Sequence, residues 1–331
     1  MSNLLPRIDC TNEKYLNEIL SKAIPVSSVK RLDRDNMEVF KTGIPSLDSK
    51  VEIAFGKICA ISGVNGCGKS TILGQLMLEA IEQGYKVFTY SGELKEDEFQ
   101  HWIDLQAAGS EHLIQKTSKA GKQYYTIDSR ILPKIHSWYD DSFWLYKNNE
   151  SMRFDKILEV IEAYIMKHNT RVIFLDNFLT IDISNISEKE LKAQTDFITT
   201  LATFAKTRNV LIFLVIHPKK IYEGIVTKAD VLGSGNISNA LDYLLLIHRV
   251  NENFKNHLKK RPISTDAKYF LENSSNIIEV GKDRWTGGEG LNVPLAYMMD
   301  SKRLIDIQRM DIKDRKYSWE KTQKKIEELG W

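Results

Sequence analysis

The chain of 331 residues is long enough for one large α/β domain with appendages, or for two small domains. Charged residues make up 27% and apolar residues 42% of it, a balance that excludes wholesale disorder. The net charge of +2 excludes a whole-molecule field that attracts nucleic acid. Any such contact must come from a local basic patch or from the bore of an assembly.

Cysteine content and hydropathy indicate the cellular compartment in which the protein is found. The three cysteines, Cys10, Cys59 and Cys67, are too few and too scattered for a disulfide framework, and no C-x-x-C pair indicates a zinc ribbon. The N-terminus lacks the charged-then-apolar layout of a signal peptide. The longest aliphatic run, 210–216, has seven residues, against the roughly 20 that a membrane helix needs. We therefore expect a cytoplasmic protein with no membrane contact.

The first predicted element is an amphipathic helix over 12–24, which Pro25 ends and which a polar linker to about Lys41 follows. Its apolar face can pack on its own domain or on a neighbouring subunit, and the pattern does not choose between these. We assign residues 1–41 to this helix and linker, as a possible subunit-docking arm.

From Lys57 onward, apolar runs alternate with helical stretches, which predicts a mostly parallel sheet flanked by helices. The predicted strands are Lys57–Ser62, Lys86–Tyr90, Arg171–Asp176, Val210–Ile216 and Tyr243–Val250. The predicted helices are Lys69–Gln83, Glu96–Ala108, Arg153–His168, Glu188–Arg208 and Ser238–Leu241. The later runs Ile277–Arg284, Val293–Asp300 and Leu304–Gln308 have hairpin-like connections, which indicates an antiparallel extension at the C-terminal side.

The strongest local signal is Gly63-Val-Asn-Gly-Cys-Gly68-Lys69-Ser70, which fits the P-loop pattern G-x-x-x-x-G-K-[ST] in full, between a strand and a helix. Glycines allow backbone N–H groups to turn around phosphate oxygens, and the helix N-terminus adds a favourable dipole. Lys69 is expected to neutralise the β- and γ-phosphates of ATP, and Ser70 to ligate Mg²⁺. The predicted nucleotide-binding residues here are Gly63, Val64, Asn65, Gly66, Cys67, Gly68, Lys69, Ser70 and Thr71.

Two carboxylates complete the predicted phosphate site. Asp176 ends the apolar run that starts at Val172, which is how a Walker B aspartate is presented to a metal ion. Glu93 follows the strand that ends near Tyr90, and a carboxylate there can orient the attacking water. We expect that strand to lie next to the P-loop strand or one position removed. The alternative for Glu93 is a solvated loop glutamate.

Five stretches in this order resemble the superfamily 4 ring helicases, which include DnaB-type replicative helicases, Twinkle and the helicase half of phage primase-helicases. The resemblance covers about Thr42 to Asp306. Its motifs are Thr42-Gly43-Ile-Pro-Ser-Leu-Asp48, Ser91-Gly92-Glu93, Ile216-His217-Pro-Lys219-Lys220, Asp230-Val-Leu-Gly233-Ser-Gly-Asn236 and Gly281-Lys282-Asp-Arg284-Trp-Thr-Gly287.

The resemblance implies a role for several residues. Glu93 takes the position of the catalytic glutamate, and His217 that of a γ-phosphate sensor. Arg284 would be an arginine finger that reaches the ATP of a neighbouring subunit, with Lys282 as its partner on the γ-phosphate. The alternative for this pair is a basic surface hairpin. Arg249 and Tyr297 resemble positions that flank the adenine.

The resemblance also implies a DNA-contact loop, in which glycine N–H groups and lysines bind phosphates without reading bases. Its predicted residues are Lys219, Lys220, Lys228, Gly233, Ser234, Gly235 and Asn236. The chain departs from the family here, with Leu232 where members often carry Arg and Asn239 where they often carry Gln. The basic stretch 255–261 can line a channel or be a solvated loop.

These observations predict a RecA-like P-loop ATPase domain at 42–310, followed by a C-terminal tail or helix at 311–331. As a superfamily 4 motor it would assemble into a ring, expected to be a hexamer, and translocate on single-stranded DNA during phage or prophage DNA replication. Primase, polymerase or a loader are the candidate partners. The alternatives are a RecA-type repair ATPase that forms filaments on DNA, and a nucleotide-switched loader subunit without unwinding activity.

Overall fold

The computed structural model describes residues 11–187, 190–218, 225–232, 240–259, 265–308 and 315–320. The chain divides into two units between Glu38 and Val39. In the first unit, helix α1 (Glu13–Leu20) begins where the Asn12 side chain accepts a hydrogen bond from the Tyr15 N–H at 3.0 Å. Residues 238 and 239 of the short helix expected at 238–241 lie outside the described residues.

The second unit is an α/β domain, as predicted. Its strands are β1 (Val39–Phe40), β2 (Ile53–Ala54), β3 (Lys57–Ser62), β4 (Lys86–Ser91), β5 (Leu113–Thr117), β6 (Gln123–Ile127), β7 (Phe143–Leu145), β8 (Thr170–Asp176), β9 (Leu211–Val215), β10 (Tyr243–Arg249), β11 (Asn276–Asp283), β12 (Leu291–Met298) and β13 (Arg303–Asp306). Its helices are α2 (Pro45–Asp48), α3 (Lys69–Glu82), α4 (Glu96–Ala108), α5 (Leu132–Tyr139), α6 (Phe154–His168), α7 (Glu190–Arg208), α8 (Lys228–Leu232), α9 (Glu252–Lys259) and α10 (Thr265–Asn273).

Within the described part of the chain, nine strands form one sheet in the order β13-β12-β11-β10-β3-β9-β8-β4-β7. The strands from β10 to β7 are parallel, and β11, β12 and β13 add an antiparallel extension. This extension confirms the β-rich pattern read after Asn276. Parallel strands buried on both faces read as continuous apolar runs, which is why the core strands were visible in the sequence.

Helices cover both faces of the sheet. Along β3, Cys59 and Ile61 belong to one buried cluster, which also contains residues of α3 and α4. The alternate residues, Ile58 and Ala60, belong to a second cluster with residues of α6 and α7. This alternation makes the P-loop strand central and rigid, and it fixes the edge at which the following loop emerges.

We expected the strand before Glu93 to lie next to the P-loop strand or one position removed, and this prediction is wrong. β4 is neither next to the P-loop strand β3 nor one position removed from it, because β9 and β8 lie between them. The crossover through α3 spans two strand positions, and the later strands β8 and β9 fill them. Glu93 still reaches the P-loop edge because the loop after β4 follows the sheet edge, where the Gly92 N–H donates to the Asp176 carbonyl at 2.6 Å.

Residues 315–320, which belong to the predicted C-terminal tail or helix, pack on α3 and α4. Tyr317 and Trp319 are buried, and the Trp319 indole N–H donates to the Ala107 carbonyl at 3.2 Å. Arg315 forms a two-pronged ion pair with the buried Glu79, at 2.7 and 2.9 Å. Residues 321–331, including the apolar positions Ile326 and Leu329, lie outside the described residues.

The β5–β6 hairpin, α5 and β7 were not predicted. No helix in the described ranges combines the length and the hydropathy needed to cross a membrane.

Candidate functional site

A cleft of about 700 Å³ lies at the carboxyl ends of the parallel strands, where the loops after β3, β4, β8, β9 and β10 converge. The structure brings these sequence-predicted residues together in its wall: Asn65, Gly66, Gly68, Lys69, Ser70, Thr71, Glu93, Asp176, His217, Arg249 and Tyr297. Residues that were predicted from distant parts of the chain thus share one cavity.

The P-loop is held by close backbone contacts. Gly68 is the N-cap of α3 and has φ +100°, a conformation that favours glycine. A Cβ at Gly63 would lie 2.4 Å from the Ile247 carbonyl oxygen and 2.5 Å from the Cys67 sulfur. Cys67 itself is buried beneath the loop rather than exposed to the cleft, and burial raises the pKa of its thiol. The Lys69 ammonium donates to the Gly63 and Val64 carbonyls at 3.0 and 3.1 Å.

Ser70 and Asp176 form an oxygen pair suited to a hard divalent cation. The Ser70 hydroxyl donates to Asp176 Oδ2 at 3.1 Å. Burial, and then the nearby charge of Glu93, raises the pKa of Asp176 to about 6, against the opposing contributions of Ser70 and Lys69. A buried carboxylate that is costly to ionise is one that a cation would stabilise. Hydroxyl and carboxylate oxygens are the ligands that Mg²⁺ prefers, so these residues fit that ion.

Glu93 and His217 are linked by Asn177, which the sequence reading missed. The Asn177 amide donates to Glu93 Oε1 and lies 3.0 Å from His217 Nε2, and Glu93 and His217 approach within 3.6 Å. Burial, and then the charge of Lys69, lowers the pKa of His217 although Glu93 opposes this. A neutral imidazole can accept the amide hydrogen bond at Nε2. Asn177 directly follows Asp176, and that adjacency is the signal that could have identified it.

One part of the cleft wall is formed by β10 and the antiparallel extension. Arg249 ends β10 directly opposite Asn276 at the start of β11, and Tyr297 lies on β12 beside them. The Asn276 amide donates to the Cys67 carbonyl at 2.6 Å and so supports the P-loop. Asn276 was missed because its partner is 209 residues away in the sequence. Other cleft residues missed at the sequence level are Trp102, Leu179, Thr180, Ser275 and Leu304.

Lys282 and Arg284 do not join the cleft. Lys282 pairs with Leu244 near the start of β10, whereas the cleft residue Arg249 is at the other end of that strand. At about 3.3 Å per residue, the five residues from Leu244 to Arg249 span roughly 17 Å. The Lys282 ammonium donates to the Leu241 carbonyl at 2.6 Å, and Arg284 lies 3.9 Å from Asp242.

A small cluster of charges surrounds this pair. Lys228, predicted as a DNA contact, forms an ion pair with Glu289 on the loop between β11 and β12. Burial, and then the positive charges of Arg284 and Lys228, lowers the pKa of Lys282. The remaining residues predicted to contact DNA, Lys219, Lys220, Gly233, Ser234, Gly235 and Asn236, lie outside the described residues, as does Asn239.

The fold and the cleft define a RecA-like P-loop nucleotide-binding domain. Residues 28–221 match the model of a family described as an AAA domain, and the chain belongs to that family. This matched range includes the P-loop, Glu93, Asp176 and His217, but ends before Lys282.

Two solved structures show a similar fold. One is described as an ATPase domain, with 13% identity and a TM-score of 0.63 over 91% of this chain and 100% of that one. The other is described as a DnaB-like replicative helicase and its interactions with primase, with 14% identity and a TM-score of 0.61 over 90% of this chain and 68% of that one. These two similarities show that the chain shares the fold of these proteins. A search of curated proteins gave no significant match.

Proposed function

We propose that this chain is the ATP-hydrolysing motor of a cytoplasmic DNA helicase, which assembles into a homohexameric ring and translocates on single-stranded DNA during phage or prophage replication. The observation that carries the proposal is the distance between the nucleotide cleft and the predicted arginine finger with its lysine partner. The nucleotide cleft is at the carboxyl edge of the sheet, and Lys282 and Arg284 are near its amino edge.

Separation of this kind has a direct consequence for assembly. Arg284 cannot reach the cleft of its own subunit across roughly 17 Å of strand. It can reach the cleft of a neighbour if subunits associate head to tail, because a heterologous interface brings opposite faces of the same chain together. If the rotation from each subunit to the next brings the last subunit back to the first, such an interface gives a ring. The rival filament-forming ATPase also uses heterologous contacts but leaves them open.

In the proposed hydrolysis, Lys69 binds the β- and γ-phosphates. Ser70 and Asp176 would hold Mg²⁺, which supplies positive charge at the phosphate oxygens. Glu93 accepts a proton from the attacking water and orients it. Asn177 keeps that carboxylate beside His217, so a change at the γ-phosphate is passed to the segment after β9. That segment contains the predicted DNA-contact loop.

The remaining assignments follow the same proposal. Arg249 and Tyr297, which both line the cleft, would flank the adenine. Contacts made through backbone N–H groups and lysines would bind DNA without sequence preference, as a motor requires. One of the two similar structures is described as a replicative helicase and its interactions with primase, and primase, a polymerase or a loader are the partners that we propose for this chain.

The proposal is tested by the ATPase rate per subunit, measured against protein concentration with and without single-stranded DNA. We expect the rate to rise with both, because the active site needs a neighbour and DNA orders the ring. Arg284→Ala should lower the rate by about 10³-fold or more, while ATP binding by the variant stays at the parent level. A rate that is flat with concentration and indifferent to DNA and to Arg284 would leave only a nucleotide-binding domain.

A further inference from the structure

The β5–β6 hairpin, residues 113–127, projects a basic and aromatic surface that takes no part in the nucleotide cleft. Five basic side chains and one acidic side chain lie between Leu113 and Lys134, a net charge of +4. Since the whole chain has a net charge of +2, all its other residues together are net negative by two. This short segment therefore carries a larger net positive charge than the chain as a whole.

The register of the hairpin determines which side chains share a face. Lys116 pairs with Tyr124 and Ile114 with Thr126, so these four residues are on one face. The Ser118 N–H donates to the Lys122 carbonyl at 2.8 Å and continues the ladder, which brings Lys122 to the same face. On the opposite face, Leu113 and Ile127 pack against the core of the domain. The Lys116–Tyr124 face is thus turned away from the domain at its base.

This face is exposed and its charges are not neutralised. Tyr124 is 45% and Ile114 is 44% exposed, and Lys116 and Lys122 are exposed. Within the ranges that the structure describes, Lys116, Lys119 and Lys122 form no ion pair, and 113–127 contains no acidic residue. The nearby Asp128 is bound by Arg130 and leaves the lysines uncompensated. Unpaired lysines around a half-exposed ring are an arrangement that attracts a polyanion carrying flat groups.

We propose that the Lys116–Tyr124 face of the hairpin binds single-stranded nucleic acid, with the lysines on phosphates and Tyr124 stacked on a base. Aromatic side chains stack on any base, and lysines along the backbone add sequence-independent affinity. The amide side chains of Gln115 and Gln123 bond to each other at 2.5 Å on the other face, so base-edge readout is not expected from them. Ile114 is a small apolar surface, which favours a polyanion over insertion into a lipid surface.

The proposed site is in a different part of the sequence from the predicted DNA-contact loop. The hairpin follows α4, and no residue of 113–127 lines the cleft, to which α4 contributes Trp102. The predicted loop instead starts from the carboxyl end of β9, at the cleft edge. The inference rests on the proposed function in taking single-stranded DNA as the ligand, and it adds a second contact on the same strand or on the displaced one.

The test measures the affinity of the full chain for a fluorescein-labelled oligo(dT) by anisotropy over a salt series. Lys116→Ala combined with Lys122→Ala should lower the slope of log affinity against log salt by about 1.4, since each phosphate contact on a single strand contributes about 0.7. The matched pair, Lys167→Ala with Lys206→Ala, removes two exposed lysines of α6 and α7 and should leave the slope unchanged. Tyr124→Ala should weaken binding about fivefold or more, and Tyr124→Phe should retain parent affinity.

The DNA-free ATPase rate of each variant reports whether it is folded, because the hairpin is outside the cleft. If the hairpin pair behaves like the matched pair while the parent chain binds oligo(dT), the inference falls and the proposed function stands. If the parent itself does not bind oligo(dT), both fall. Hairpin-dependent binding to vesicles containing phosphatidylserine, without hairpin-dependent DNA binding, would overturn the inference in favour of a membrane surface.

Discussion

Asn177 shows how one uncharged side chain can organise two reactive ones. Its amide contacts both Glu93 and His217, and it is itself 2% exposed. Without that amide, the Glu93 carboxylate loses the group that holds it toward the cleft, and the imidazole loses its donor. A catalytic base that is misplaced by about 1 Å loses much of its effect.

We predict that Asn177→Ala lowers the kcat of ATP hydrolysis by about 10- to 100-fold and leaves the affinity for ATP nearly unchanged. The reason is that Asn177 positions the base and does not belong to the P-loop. Steady-state kinetics and a nucleotide-binding titration measure the two quantities. Leu179→Ala is the control, because Leu179 lines the same cleft but supplies no polar group there. An equal loss of ATP affinity and kcat in Asn177→Ala would contradict a positioning role.

The ionised carboxylate of Asp176 destabilises the folded state when no metal ion is bound. Its folded-state pKa of about 6 exceeds the ordinary value of 3.8, so the folded state binds a proton more tightly than the unfolded state does. The free energy of unfolding therefore rises as pH falls from about 7 toward 4. The stability that protonation of Asp176 contributes is lost as pH rises through 6.

We predict that Asp176→Asn is more stable than the parent at pH 7.5 without metal, and that the difference shrinks by pH 5. Urea unfolding in EDTA at the two pH values measures this. The same variant should lose ATP hydrolysis, since the carboxylate that fits Mg²⁺ is gone. A variant that is less stable than the parent at pH 7.5 would show that the carboxylate is not destabilising there.

At the scale of elements, helix and strand pattern predicted the core of the fold but not its additions. The predicted core strands contain apolar runs because both of their faces are buried, and β3 and α4 have their predicted bounds. The hairpin β5–β6 was missed because most of its residues are exposed and carry no alternating apolar pattern. β7 has only three residues, too few for a period to be visible.

The candidate site was predictable to the extent that its residues follow strands. Asp176 ends a parallel strand, and Lys69, Glu93 and His217 follow the carboxyl ends of three others, and such ends meet at one edge. The order of the strands was not predictable in the same way, since it depends on which later strands fill the gap that a crossover leaves. Asn276 reaches the P-loop from the antiparallel extension, and no local pattern predicts a partner so far away in sequence.

The C-terminal segment 315–320 gives a prediction on stability. Trp319 is 5% exposed and contacts α4 through its indole N–H, so Trp319→Ala should lower the free energy of unfolding by about 3 kcal/mol. Urea unfolding measures the change. Lys316→Ala is the matched control, because its ion pairs with Glu111 and Glu320 are at the surface and contribute less than about 1 kcal/mol. Equal effects of the two substitutions would mean that the segment is not part of the folded domain.

At the scale of the whole molecule, the proposed active site needs two groups of residues that lie toward opposite edges of the sheet within one chain. The P-loop, Glu93 and Asp176 line the cleft, and Arg284 is near the far end of β10. An assembly in which each cleft is completed by the next subunit makes hydrolysis a property of the interface. Loss of Glu93 and loss of Arg284 then damage different sides of that interface.

Mixing two inactive variants tests this central claim most directly. Glu93→Gln lacks the catalytic base but retains Arg284. Arg284→Ala lacks the arginine but retains Glu93. If Arg284 acts on a neighbour, random assembly of equal amounts should restore about a quarter of the parent ATPase rate, because one interface in four pairs an intact cleft with an intact arginine. If the mixture stays as inactive as its components although both variants co-assemble, Arg284 does not act between subunits, and the ring-motor account is contradicted.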